Sequence, residues 1–349
     1  MALNLTAQPE REWNNLPWYI LYMGQGLVIG GGNLLIAISI LRYEALRSTK
    51  EFFLMMSLAL ADVTNMMAYL SGGIYRTWLL LSGIHHTKMT AWQCMSKPHN
   101  MLWCFSSALS TGMLAAISLD RLVSVTAPLT YMGYTCTYAY WLATAVLVYT
   151  LSTGLPGIAL TYDSRHLPPT VPAMCLTPHA LAAKFTNSVY SLHYMFAPPV
   201  LAAISVVLYV LVWLSYKQKM AAVSPDVQGQ KEQMQFQRHL TKTLGFSCLC
   251  TFFFYCLPFA SGHLVALFGL KAPFNLSLLF FVVSTINPLC NVLIYPLRQH
   301  EIRLAIKGLF SGKQMPANVR LWKNVPAPTS LVAPSTSASA KRQLVQNPD

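Results

Sequence analysis

Asp62 is the one carboxylate of the 11 acidic residues that falls well inside an apolar run, within Leu58-Ala59-Leu60-Ala61-Asp62. An ionisable group at bilayer depth costs roughly 2.5 to 3.5 kcal/mol on insertion scales, so something must satisfy it. Similarly isolated polar residues are Asn33, Ser110, Asn287 and Asn291. Together they could form interhelical hydrogen bonds, a partly hydrated cation site or a proton-sensitive switch. A second candidate is Asp120-Arg121, an adjacent acid and base at the end of another apolar run. An Arg there could be a topology signal that snorkels, or half of an exchangeable ion pair. The eight cysteines show no CxxC pair and no zinc-like spacing, and no HExxH, GxSxG or paired catalytic acids occur in the apolar runs. Neither a metal centre nor an intramembrane enzyme is expected.

The elements that must carry these groups are long apolar helices. The 349 residues are 54% hydrophobic and only 10% charged, with mean hydropathy +0.43. A soluble domain carries about 25% charged residues. The net charge of +13 comes from residues dispersed between apolar runs, which speaks for a membrane and against nucleic acid. A span needs roughly 20 residues. Seven stretches qualify, at about 18–41, 52–75, 99–123, 138–161, 188–214, 241–268 and 274–297, and the second can run on through Trp78 to Leu81. The predicted class is therefore an all-α membrane protein, a seven-transmembrane helix bundle.

An odd number of spans puts the termini on opposite sides. With the N-terminus outside, 17 Lys and Arg fall on the cytoplasmic side and 7 on the other, the asymmetry of a multi-pass protein in that orientation. Residues 1–17 form the expected extracellular N-terminus, without a basic n-region or an h-region, so the first span serves as signal; Asn4 heads a glycosylation sequon, Asn4-Leu5-Thr6. Residues 18–297 form the bundle. Residues 298–311 place Ile302, Ala305, Ile306, Leu309 and Phe310 at helical spacing, the pattern of a short amphipathic eighth helix on the membrane surface. Residues 312–349, rich in Ser, Pro and Ala, are expected to be a disordered cytoplasmic tail.

On these spans six signatures fall in order, and over about 18–311 the chain resembles a rhodopsin-like (class A) G-protein-coupled receptor. Gly32-Asn33 resembles the family's first-span GN, Leu58 to Asp62 its LAxxD, and Asp120-Arg121-Leu122 its DRY. Pro128-Leu129 follows Arg121 at the family distance, Phe252 and Pro258 resemble FxxxCWxP, and Asn291 to Tyr295 resembles NPxxY. Departures are Leu122 for Tyr, Cys256 for the sixth-span Trp, and a seventh-span proline moved to Pro288, which predicts a helix bend shifted by one turn. Trp141 and Tyr209 also stand off the usual distances. Such loosened signatures resemble the serpentine chemoreceptors of nematodes.

The resemblance implies a receptor in the plasma membrane that transduces an extracellular chemical signal to a heterotrimeric G protein, with arrestin and membrane lipids as further partners. Asp120, Arg121, Tyr295, Phe252 and Pro258 become the coupling and switch residues. Asn33, Asp62, Ser110, Asn287 and Asn291 become the polar network, with Na+ near Asp62 as the one ion expected and no other cofactor. Where relatives carry a sixth-span acid this chain has Arg238, so a second acidic restraint on Arg121 is expected to be missing and basal activity appreciable. Cys94 and Cys175 take the place of the family disulfide, although the usual first position falls two residues later, at Ser96. His99, Trp103, Tyr194, Phe259, His263 and Phe281 are the candidate ligand residues. Trp103 stands where amine receptors carry Asp, and Thr285 where retinal receptors carry Lys. A small, neutral, odorant-like ligand fits best; a neuropeptide-type receptor is the alternative, and a channel or transporter the rival class.

Overall fold

The computed structural model describes residues 13–175, 177, 180–181, 189–222, 245–258, 279 and 282–312. Helix α1 spans Leu16–Arg42, α2 is the four-residue Glu44–Arg47, and α3 spans Lys50–Leu81. A short α4, Ala91–Met95, precedes α5, Pro98–Thr126; α6, Pro128–Gly133, links it to α7, Cys136–Tyr162. Then come α8, Val189–Ala222, the apolar α9, Gly245–Cys256, and finally α10, Ile286–Arg298, and α11, His300–Ser311. Five of these helices are long and apolar enough to cross a bilayer, with α9 and α10 adding shorter described helices in the sixth and seventh stretches.

Their residues explain their limits. Pro17, Pro98 and Pro128 occupy first turns, where the missing N–H would have no intrahelical partner anyway. Glu51 lies in the first turn of α3, where the helix dipole favours an acid. Thr90 and Gln93 form a reciprocal capping box at the start of α4. The α3 helix does run past Arg76 to Leu81.

In a bilayer, helices approach closely where small residues allow it. A Cβ on Gly73 would lie 2.7 Å from the Tyr19 carbonyl oxygen, and one on Gly26 would lie 2.7 Å from Leu70 Cβ, so α1 and α3 pack almost backbone to backbone. One core gathers Ile36, Ile40, Phe52, Leu58, Ile117, Tyr295 and Ile302 near the Arg121 end. A second, around Tyr19, Tyr22, Met66, Tyr69 and Trp103, lies nearer the other end. Outward-facing side chains such as Trp141 and Trp213 are apolar, as lipid contact requires.

Two expected details shift. The helix of the seventh stretch is interrupted at Thr285, a turn between helical residues 282–284 and α10, which puts Pro288 in the first turn of α10, where its missing N–H would have no intrahelical partner. The amphipathic helix starts at His300, because extended Gln299 breaks it from α10. Ile302 and Ala305 are fully buried, Phe310 is exposed, and left-handed Gly312 ends the helix. Asn4 and residues 313–349 lie outside the described residues.

Candidate functional site

Three polar clusters follow one another along the bundle. Near the C-terminal end of α5, Arg121 is almost completely buried, and its charge decides its surroundings. Arg121 Nε donates to Asp120 Oδ2 at 2.9 Å, and Nη2 closes a second contact with the same oxygen. Nη2 also donates to the Tyr131 hydroxyl at 2.6 Å and stands 3.9 Å from Glu51 Oε1. Tyr131 Oη is 3.0 Å from Glu51 Oε1 and 3.3 Å from Asp120 Oδ2.

A second acidic group does stand beside Arg121, Glu51 on α3, so the expectation of a single acid there needs amending; position 238, where relatives carry the sixth-span acid, lies outside the described residues. Lys50 reaches over the Tyr131 ring, 3.7 Å from its centroid, and donates to the Tyr131 and Tyr134 carbonyls. Burial pushes the Tyr131 phenol above its ordinary value, against the pull of Arg121, so it is a neutral hydroxyl at physiological pH.

Midway along, Asp62 is 2% exposed. Asn291 Nδ2 donates to Asp62 Oδ2 at 2.9 Å, and Ser247 Oγ donates to Asn291 Oδ1 at 2.6 Å. Thr251 Oγ1 donates to Asn287 Oδ1 at 2.9 Å, and Asn33 Nδ2 reaches the Ile29 and Pro288 carbonyls at 3.1 and 3.4 Å. Ser247 and Thr251, which the sequence did not point to, thus tie Asp62, Asn291 and Asn287 into one network, while Asn33 bonds only backbone carbonyls beside it. Ser110 neighbours Asp62, but its buried hydroxyl makes no hydrogen bond of normal geometry among the described residues.

Tyr295 is fully buried near Ser247 and Asp62, not in the Arg121 cluster. Phe252 is exposed on a π-helical turn, Phe252–Cys256, with its ring 5.3 Å from Phe253; it joins neither cluster. Pro258 lies just beyond that turn. A wide turn ahead of a proline relieves the clash of its ring with the preceding carbonyls.

At the far end Cys94 and Cys175 form a disulfide, Cα to Cα 6.1 Å. The two-residue offset has a structural cause: Cys94 sits on the separate helix α4, which ends before α5 begins at Pro98. Strands Lys88–Met89 and Val171–Pro172 pair antiparallel beside the bond. Asn100 Nδ2 donates to the Cys94 carbonyl at 2.9 Å.

Beneath lies an aromatic row. Tyr22 and Tyr69 meet at 5.6 Å, Tyr69 and Trp103 at 5.4 Å, and His99 and Trp103 at 6.1 Å. Tyr69 and Ser284 share a hydrogen bond of 3.0 Å. His99 is fully buried beside the Cys175 backbone, with no hydrogen bond of normal geometry at either ring nitrogen among the described residues.

Arg76, 4% exposed, lies 5.7 Å from both the Tyr19 and Trp103 rings, with Nη2 3.5 Å from the Cys175 carbonyl. Its burial had no signal in the sequence, which placed it among the outer-face cations. Of the candidate ligand residues, the structure joins His99 and Trp103; the Tyr194 side chain, Phe259, His263 and Phe281 lie outside the described residues.

Comparison with known proteins bears on the whole arrangement. The chain is 27% identical to trace amine-associated receptor 8c of Mus musculus over 319 residues, 85% of this chain and 88% of that one. It is 27% identical to trace amine-associated receptor 8b of Rattus norvegicus over 315 residues, 84% and 87% of the two chains. Olfactory receptor 2AG1 of Homo sapiens is 28% identical over 221 residues, 60% of this chain; the chain spans 64% of that receptor's length. The model of the 7 transmembrane receptor (rhodopsin family) matches residues 32–295, a stretch that contains the GN-like, LAxxD-like, DRY-like and NPxxY-like segments and both cysteines. With its apolar helices and its Cys94–Cys175 bond, this chain belongs to the rhodopsin family of seven-transmembrane receptors, multi-pass membrane proteins that are receptors and not enzymes.

Proposed function

We propose that the chain carries a chemical signal from its disulfide-linked face to a heterotrimeric G protein at its Arg121 face, with the former outside the plasma membrane and the latter, with the tail, in the cytoplasm. The observation that carries this reading is the burial of Arg121 in a cage of breakable bonds to Asp120, Tyr131 and Glu51. A receptor needs a bistable element, and a ligand can shift it only by binding one state better. Release of Arg121 frees a cation at the coupling face, and Tyr295, held near Asp62 in the resting arrangement, moves to meet it. Arrestin would compete for the same face, and lipid headgroups would receive Arg303 and Lys307 of α11.

For the ligand we favour a small neutral or weakly polar molecule. Two relatives are named for trace amines, but here the third-span place for an amine-binding acid is Trp103, and the buried charge beside it is the cation of Arg76, which repels an ammonium. An aromatic row with few fixed polar groups suits an apolar body with one hydrogen-bonding handle. Sodium is proposed beside Asp62: a hard cation takes oxygen ligands, and the carboxylate, the Asn291 carbonyl and the neighbouring Ser110 hydroxyl offer them.

A panel of neutral volatiles, amines and short peptides, applied to cells bearing the receptor with nucleotide exchange as readout, tests these assignments. Responses confined to neutral compounds are expected. Responses to amines alone overturn the ligand class, and silence of the surface-expressed receptor toward every G-protein class counts against coupling.

A further inference from the structure

The Arg121 cluster contains two residues whose work the ion pair with Asp120 does not explain. Glu51 belongs to α3 and Tyr131 to α6, so three separate elements converge on one guanidinium. A phenol has one proton to give. Tyr131 Oη accepts from Arg121 at 2.6 Å, and its own proton goes to the nearer acceptor, Glu51 Oε1 at 3.0 Å, in preference to Asp120 Oδ2 at 3.3 Å. The charge of Arg121 is thereby passed through a neutral hydroxyl to a second carboxylate. Asp120 by itself binds through Oδ2 alone, and its buried Oδ1 has no hydrogen-bond partner among the described residues.

The element that bears Tyr131 is itself lightly tied. The α6 helix has six residues, and Lys50 fastens its end by bonding the Tyr131 and Tyr134 carbonyls while lying over the Tyr131 ring. Leu129, two residues from buried Tyr131, is 73% exposed. Withdrawal of α6 from the bundle would therefore remove the relay and leave Glu51 only its longer, 3.9 Å approach to Arg121.

We propose that Glu51 and Tyr131 are positioning residues for Arg121: Glu51, acting through the Tyr131 hydroxyl, supplies the second acidic hold and sets the receptor's ligand-independent activity. This rests on reading Arg121 as the coupling arginine.

The test uses full-length receptor in membranes without agonist, measuring nucleotide exchange per surface receptor and hydrogen exchange over residues 116–134. Glu51→Gln is expected to raise basal exchange by about tenfold or more, the effect of one lost charge-assisted hydrogen bond on a two-state equilibrium. Tyr131→Phe, which keeps the ring under Lys50, should give a similar rise, the double variant no more than the larger single one, and Glu51→Asp should stay near the parent. Amide exchange over residues 128–134 should quicken in the first three variants. If it quickens while no variant, nor the parent, drives any G protein, the hold on Arg121 stands and the coupling assignment falls. Unchanged basal and amide exchange in Tyr131→Phe, or a Glu51→Gln loss of surface receptor with basal exchange per receptor unaltered, overturns the proposal.

Discussion

The two ends of the bundle solve the problem of a buried arginine in opposite ways. Arg121 is ringed by two carboxylates and a phenol, all bonds that can be traded within a conformational change. Arg76 lies among aromatic faces and a backbone carbonyl that belongs to a covalent bridge. The first arrangement suits a switch, because each contact is non-covalent and can be exchanged for another. The second suits a recognition surface, because the disulfide holds the Cys175 segment against α4, just ahead of α5, whatever the rest of the bundle does. Between them lies the Asp62 level, with Tyr295 and Ser247 beside it.

The comparison can be broken first at the covalent end. The Cys94–Cys175 bond closes a loop of 81 residues, and removing such a bond costs about 2–5 kcal/mol. Cys94→Ser and Cys175→Ser should each lower the melting temperature of purified receptor by the same amount, with no further loss in the double variant; additive losses would argue against a shared bond.

At the middle level, Asn291→Ala leaves a buried carboxylate oxygen without its donor, at about 1–3 kcal/mol. Thermal melts in sodium and in choline at equal ionic strength sharpen this. Sodium should stabilise the parent and lose that effect in Asp62→Asn, whereas identical melts in both salts for the parent would remove the ion from the account.

The smallest effect belongs to the aromatic row, where Tyr69→Phe deletes only the bond to Ser284, worth about 1 kcal/mol, while keeping the ring against Trp103. A melt shifted by several times that amount would mean the hydroxyl anchors more than one neighbour.

Much of this fold was legible because hydropathy and length are local. The first five spans fall within a few residues of the long helices except the fifth, whose α8 runs on to Ala222, since no proline or glycine pair stops it after Leu214. The disulfide was legible through the family resemblance, but the cause of its two-residue offset was not drawn from the sequence, although Thr90 and Gln93 open a separate α4 and Pro98 restarts the chain as α5. Glu51 and Tyr131 escaped because nothing in a sequence brings a first-turn acid on one helix to an arginine 70 residues away. A Glu beside Lys50 at a helix start reads as an ordinary cap, and Tyr131 as a loop aromatic. Arg76 escaped for the converse reason: near the end of an apolar stretch an arginine is expected to reach water, and only the loop folded over it shows that it does not.

Central to the proposed function is the release of Arg121 from the bundle to its partner. Nucleotide exchange on purified G protein, compared between parent and Arg121→Ala at matched amounts of folded receptor, addresses it most directly. Near-complete loss of both basal and agonist-driven exchange is expected, while ligand binding at the opposite end persists. An Arg121→Ala receptor that exchanges nucleotide as fast as the parent would contradict it.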